Sequence, residues 1–141
     1  MSVDMTKWQE IAKANIHNRP TGEGRLAGKI TIVTGAAQGF GKGIAEELYK
    51  EGATIIIADM NQALAEQVAT EMGERACAIA VNVSDEESVA NMVAQTVEKF
   101  GGLDMMVANA GVVRSGPIAE LEKKDFDFVT AINYTGLFLT C

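Results

Sequence analysis

Gly35, Gly39 and Gly41 follow directly on an apolar run of Ile30, Thr31, Ile32 and Val33, and after them Ile44, Ala45, Leu48 and Tyr49 recur at helical spacing. A glycine turn between a buried strand and a helix lets backbone N–H groups approach a phosphate. It also sets the anion at a helix N-terminus, where unpaired donors and the helix dipole favour negative charge. A nucleotide is therefore the first ligand these residues suggest. Their spacing, Gly-x-x-x-Gly-x-Gly, has one residue more than the plain Gly-x-Gly-x-x-Gly fingerprint, and no Lys-Ser or Lys-Thr pair follows to make a Walker-type loop.

Asp59 comes 18 residues after Gly41, at the tip of a second apolar strand. A carboxylate there can accept hydrogen bonds from both hydroxyls of an adenosine ribose and repels a 2′-phosphate. Met60 beside it supplies no cation to neutralise such a phosphate, so the pair favours NAD over NADP. Capping the next helix is the structural alternative for Asp59. Asn82, Val83 and Ser84 end a third strand, where a side-chain amide and a backbone N–H could meet an adenine edge. Asn109, Ala110 and Gly111 end a fourth, and their small size lets the chain pass close to the nicotinamide half of a cofactor. All these positions lie at carboxyl ends of strands, where open α/β sheets bind ligands.

The elements that must hold them alternate. Strands are expected at 30–34, 54–58, 76–81 and 103–108. A helix follows the glycine turn and ends near Glu51, with Gly52 as its cap; Leu64, Val68 and Met72 mark the next, closed by Gly73. Ser84 and Glu87 form a capping-box signature for a helix whose apolar face carries Val89, Met92, Val93, Val97 and Phe100 and which ends at Gly101 and Gly102. Phe126, Val129, Ile132 and Asn133 begin a last helix that runs almost to the end. Near-continuous apolar strands alternating with helices imply an α/β fold, a Rossmann-type doubly wound parallel sheet covered on both faces. Right-handed crossovers give the order 3-2-1-4, one half of such a fold, with the later strands outside these 141 residues.

Residues 1–25 form a separate extension ahead of a dinucleotide-binding half-domain at 26–141. Trp8, Ile11, Ala12 and Ile16 predict a short amphipathic helix capped by Thr6 with Gln9, and 18–24 reads as a linker. Such an arm packs on its own domain or a neighbouring subunit, or joins an upstream domain.

A net charge of −7 argues against a nucleic-acid surface, and 48% hydrophobic with 22% charged residues fits a globular chain. No uncharged apolar run reaches about 18 residues, so no membrane span is expected. Cys77 and Cys141 suggest neither a disulfide framework nor a metal cluster, and free thiols without a leader sequence point to the cytoplasm. His17 lies in the arm, far from the glycine turn in sequence, and reads as a surface residue.

Thr34-Gly-Ala-Ala-Gln-Gly-Phe-Gly41, Asp59, Asn82-Val83 and Asn109-Ala-Gly111 together resemble the short-chain dehydrogenase/reductase family over residues 26–141. The resemblance implies that Gly35, Gln38, Gly39 and Phe40 surround the pyrophosphate and adjoining ribose. Asp59 would hold the adenosine ribose, Asn82 and Val83 the adenine, and Asn109 to Gly111 the nicotinamide side. Two departures are visible. Members usually carry Asp where this chain has Asn82, whose amide still offers an acceptor, and Ala108 replaces the first Asn of an Asn-Asn-Ala-Gly motif.

In that family a Tyr hydroxyl is the acid/base while hydride passes to or from nicotinamide, with a Lys four residues later, a Ser that orients substrate, and an Asn supporting a proton relay. A phenol of pKa about 10 needs such a cation to act near neutrality. Ile132-Asn133-Tyr-Thr-Gly136 matches the Asn motif, so Asn133 takes the relay role. Tyr49 is followed at the fourth position by Ala53 and Tyr134 by Phe138, so no Tyr-x-x-x-Lys occurs. The implied function is an NAD-dependent oxidoreductase interconverting an alcohol, possibly a sugar or polyol, and a ketone. Such a protein would be a homodimer or homotetramer. By themselves residues 1–141 are expected to be inactive. A non-catalytic dinucleotide-binding module for sensing or interaction is the alternative, and an NADP-linked reductase a further one.

Overall fold

The computed structural model describes residues 5–18, 20 and 22–141. Helix α1 (Met5–Asn15) and a short 3-10 turn precede a regular alternation: β1 (Ile30–Thr34), α2 (Gly39–Lys50), β2 (Thr54–Asp59), α3 (Gln62–Met72), β3 (Ala76–Ala80), α4 (Glu86–Phe100) and β4 (Met105–Val107). Helix α5 (Lys123–Thr130) runs through a π-helical turn (Ala131–Thr135) into α6 (Gly136–Thr140). The four strands form one parallel sheet in the order β3-β2-β1-β4, as the crossover argument expects. It is an α/β sheet of Rossmann type.

The central strands β1 and β2 are buried on both faces, which is why they read as continuous apolar runs rather than alternating ones, while β3 and β4 are mostly half-buried. Ile30, Ile32 and Ile56 face one way and pack with Val89, Met92 and Phe100 of α4. Val33, Ile55 and Ile57 face the other way, against Ala45 of α2 and Ala65 and Val68 of α3. Alanines at the helix–sheet contact keep α2 and α3 close, and the parallel register sets Val33 beside Ile57 and Asp59 beside Ala80.

Thr31 sits among these aliphatic neighbours, fully buried, with a hydroxyl that has no hydrogen-bond partner. Burying a hydroxyl without a partner costs about 1–3 kcal/mol, and valine has the same shape without it. Thr31→Val is expected to raise stability by about 1 kcal/mol, read as a higher midpoint of urea unfolding; a lower midpoint would show that the hydroxyl has a partner.

Three local details differ from the sequence expectation. Thr6 lies inside α1 and so does not cap it. Asp85, not Ser84, caps α4 and accepts from the Ser88 N–H at 2.9 Å, because the Ser84 side chain is engaged by Asn82 instead. The last helix is interrupted by the π turn. Of the expected linker, residues 19 and 21 lie outside those described.

Helix α1 packs on α4. Gly101, left-handed at the C-cap of α4, comes so close to the end of this arm that a Cβ would stand 2.6 Å from the Asn15 carbonyl carbon. The stretch before β1 is held at Glu51: Arg25 donates to its carboxylate at 2.8 and 2.9 Å, and the Leu26 N–H reaches its carbonyl at 2.7 Å. Cys77 and Cys141 are free, and burial pushes the Cys77 thiol up. Among the described residues, no helix is long and apolar enough to cross a membrane, and no group of His, Cys, Asp and Glu is placed to hold a metal ion.

Candidate functional site

At the carboxyl ends of β1, β2, β3 and β4 lies a cleft of about 450 Å³. It is lined by Gly35, Gln38, Gly39, Phe40, Gly41, Asp59, Met60, Asn82, Val83, Asn109, Ala110 and Gly111. These are the twelve positions singled out for cofactor contact from the sequence. The fold therefore gathers into one hollow residues that lie up to 76 positions apart. Val81, Val112, Phe128 and Ile132 complete the wall and were not anticipated. They are ordinary apolar residues, which carry no local sign of facing a ligand.

The glycine turn is built unevenly. Gly35 (φ +65°) and Gly39 (φ +58°) take the left-handed conformation that a side chain resists. A Cβ on Gly39 would meet nothing within 4 Å, so its surface is open to a ligand. A Cβ on Gly41 would overlap the Gly35 carbonyl oxygen and stand 2.5 Å from Asn109 Nδ2. Gly39 thus leaves room in the cleft, while Gly41 lets α2 lie against the end of β1. Gln38 precedes α2 in extended conformation and makes no side-chain cap, so the first-turn N–H groups of this twelve-residue helix are not closed off by a side chain. Phe40 stands 90% exposed beside them.

Asp59 ends β2 with both carboxylate oxygens tethered: Oδ2 accepts from the Ala37 N–H at 3.1 Å and Oδ1 from the Asn61 N–H at 3.0 Å. Each oxygen keeps a second lone pair. The first bond fixes the carboxylate against the glycine loop, and neither makes Asp59 a helix cap, since Asn61 caps α3 by accepting from the Leu64 N–H. Met60 is exposed, and among the residues lining the cleft none is Lys or Arg.

Asn82 differs from its expectation. Its Oδ1 accepts from both the Ser84 N–H (3.1 Å) and the Ser84 hydroxyl (2.7 Å), which occupies its two lone pairs. The acceptor foreseen from the sequence is therefore already used within the chain, and the amide NH₂ is the group left over. The Asn82 N–H donates in turn to Ser88 Oγ at 3.0 Å. Val83 is buried, and its side chain sits under the start of α6, where a Cβ on Gly136 would come within 2.9 Å of it.

Thr34 is the residue that sequence reasoning passed over. Its hydroxyl accepts from the N–H groups of Asn109 (3.0 Å) and Ala110 (3.1 Å) and lies 3.4 Å from the Val107 carbonyl. Asn109 Nδ2 donates back to the carbonyls of Thr34 (2.9 Å) and Gly35 (3.3 Å). Together these bonds clamp the loop after β1 to the loop after β4. Its only sequence sign was a hydroxyl residue directly ahead of the first glycine.

Asn133 is not in the main cleft. It lines a neighbouring cavity of about 70 Å³ with Thr34, Ala110 and Gly136. The π turn presents its side chain to Val112, where Oδ1 accepts from the N–H and Nδ2 donates to the carbonyl, both at 2.8 Å. Single π turns often occur where a side chain has been re-aimed for use.

Residues 29–141 match the model of the family described as short chain dehydrogenase. A sorbitol dehydrogenase of Cereibacter sphaeroides is 40% identical over 112 residues, covering 79% of this chain and 44% of that protein. A tropinone reductase-like protein of Erythroxylum coca is 41% identical over 119 residues, covering 82% and 44%. In structure, a 3-ketoacyl-(acyl-carrier-protein) reductase from Brucella melitensis complexed with NADH superposes with a TM-score of 0.77 at 38% identity, covering 80% of this chain and 47% of that one. The chain thus spans a little less than half the length of the proteins it matches.

Proposed function

This chain belongs to the short-chain dehydrogenase family, and from that premise we propose that it is the dinucleotide-binding half of an NAD-dependent oxidoreductase interconverting an alcohol and a ketone. The observation that carries the reading is a single cleft in which an open glycine, an uncapped helix N-terminus and a tethered carboxylate stand together without a cation. These residues fit a nicotinamide dinucleotide. The diphosphate lies against Gly39 and the first turn of α2, and Asp59 takes the ribose hydroxyls with its remaining lone pairs. Asn82 and Val83 meet the base, and Asn109 to Gly111 flank the nicotinamide end. Phe40 and Met60, both exposed, line the cleft as apolar contacts.

When bound, the nicotinamide ring supplies the hydride acceptor or donor. What these residues contribute is position. The Thr34–Asn109 clamp holds the floor of the nicotinamide end, and Asn133 holds Val112 beside it. Since the Asn133 side chain is committed to that pair, it enters as a positioning residue, and its relay role rests on family resemblance. The proton at the substrate oxygen needs a Tyr–Lys pair that residues 1–141 do not hold.

A polyol substrate is supported by relatives named sorbitol dehydrogenase and D-threitol dehydrogenase. A dimer or tetramer is supported by the aromatic surface of α5, the π turn and α6, where Phe126, Tyr134 and Phe138 all stand exposed. The two free thiols support a cytoplasmic setting. One observation favours a purely binding module instead: every placed site residue except Asn133 is a binding residue.

Fluorescence titration with NADH and NADPH tests the reading. NADH is expected to bind at least tenfold more tightly, because Asp59 repels a 2′-phosphate that no cleft cation neutralises. With sorbitol and NAD, residues 1–141 alone are expected to form no NADH above a heat-killed control. Preference for NADPH, or no binding of either, would refute the assignment.

A further inference from the structure

The hydrogen bonds around Asn82 decide which polar group a base would meet. Ser84 presents its backbone N–H and its hydroxyl to the same side-chain oxygen, at 3.1 and 2.7 Å. A backbone N–H can only donate, so the amide cannot be turned over without setting its NH₂ against another donor. The orientation is therefore fixed by bonds within the turn. The amide nitrogen remains, on a residue that lines the cleft and is only half buried.

The sheet order places this donor at the base end. The glycine loop follows β1, Asp59 ends the adjacent β2, and Asn82 follows β3 on the far side of β2. Moving outward across the sheet, a ligand meets phosphate, ribose and base positions in turn. Asp59 pairs in register with Ala80, so Asn82 stands two residues further toward the cleft mouth. Adenine carries an amine at its 6-position, which donates, whereas a 6-keto purine carries a carbonyl there, which accepts.

Resting on the dinucleotide reading above, we propose that Asn82 makes the purine subsite a donor site, so that a 6-keto purine dinucleotide is accepted as well as the adenine one. An amide NH₂ engages the 6-carbonyl of hypoxanthine or a ring nitrogen of adenine, and gives the adenine amine nothing to donate to. At the 6-position the site thereby no longer favours an amine over a carbonyl, while ribose and phosphate recognition are untouched.

Asn82→Asp exchanges that donor for an acceptor at constant shape. One carboxylate oxygen keeps both hydrogen bonds from Ser84, and the other replaces the NH₂. The experiment compares dissociation constants of NADH and reduced nicotinamide hypoxanthine dinucleotide by fluorescence, for the unaltered chain and for N82D. The unaltered chain is expected to bind the two within about threefold, and N82D to favour the adenine form by about tenfold. Ser84→Ala, which frees one lone pair of Oδ1, shifts the ratio in the same direction by about threefold and serves if N82D folds poorly. A tenfold adenine preference in the unaltered chain, or a ratio that neither variant moves, overturns this proposal alone. Failure of both dinucleotides to bind the unaltered chain overturns it together with the cofactor assignment.

Discussion

Gly41→Ala is expected to lower the thermal midpoint by roughly 10 °C, whereas Gly39→Ala leaves the fold nearly intact and weakens dinucleotide binding about tenfold or more. The contrast follows from what each new Cβ meets. At position 41 it would overlap the Gly35 carbonyl oxygen and crowd Asn109 Nδ2 at 2.5 Å, two neighbours that belong to the end of β1 and to the clamp. Backbone cannot step aside cheaply in a packed interior, so α2 must move off the sheet at a cost of about 3 kcal/mol. At position 39 it would meet nothing within 4 Å; the penalty is the left-handed φ of +58°, about 1 kcal/mol. That open space is where the diphosphate is proposed to rest, so the same methyl group obstructs it. Calorimetric unfolding and NADH titration on both variants check the pair. Equal stability losses, or intact binding in Gly39→Ala, would contradict the division of labour between the two glycines.

Asp59→Ala is expected to reduce NADH affinity about 30-fold, about 2 kcal/mol, while NADPH affinity holds or rises. The carboxylate is held by the Ala37 and Asn61 N–H groups, so it is already positioned and costs little to order on binding. Removing it deletes the acceptors for the ribose hydroxyls and the charge that opposes a 2′-phosphate. Asp59→Asn removes the charge and keeps one acceptor oxygen, but sets its NH₂ against either the Ala37 or the Asn61 N–H, so one tether is lost along with the charge. Competition titrations with NAD and NADP give the readout. Unchanged discrimination in Asp59→Ala would mean that nucleotide choice is made elsewhere in the cleft.

Much of the molecule was legible because burial leaves a compositional trace. Ile30 to Val33 and Thr54 to Ala58 are covered on both faces, and each such residue had to be apolar or small. Strand order followed from the handedness of crossovers. Asp59 stood out because a charge at the tip of a buried strand needs a reason. What stayed hidden are hydrogen bonds that leave no periodic signature. Thr34 and Asn109 are 75 residues apart, and although both fall in recognisable motifs, nothing in their spacing shows that they bond to each other. Ser84 read as a helix cap by spacing alone, yet Asp85 takes that position and leaves Ser84 for Asn82. Fourth-strand pairing is shorter than its apolar run, since β1 offers β4 only three partners. The π turn at Ala131–Thr135 keeps the same apolar spacing as an ordinary helix, so only the backbone reveals it.

The bonds between Thr34, Asn109 and Ala110 have a kinetic consequence. They weld the two loops flanking the sheet's switch point into one rigid plate, so the slot between them exists before any visitor arrives. The proposed dinucleotide is therefore expected to dock without rearranging that plate, at a pace set by diffusion and orientation. Past Gly111 the hold on the chain is of another kind: Asn133 pins Val112 by two hydrogen bonds, and the Arg114 guanidinium lies over the Phe128 ring at 4.8 Å.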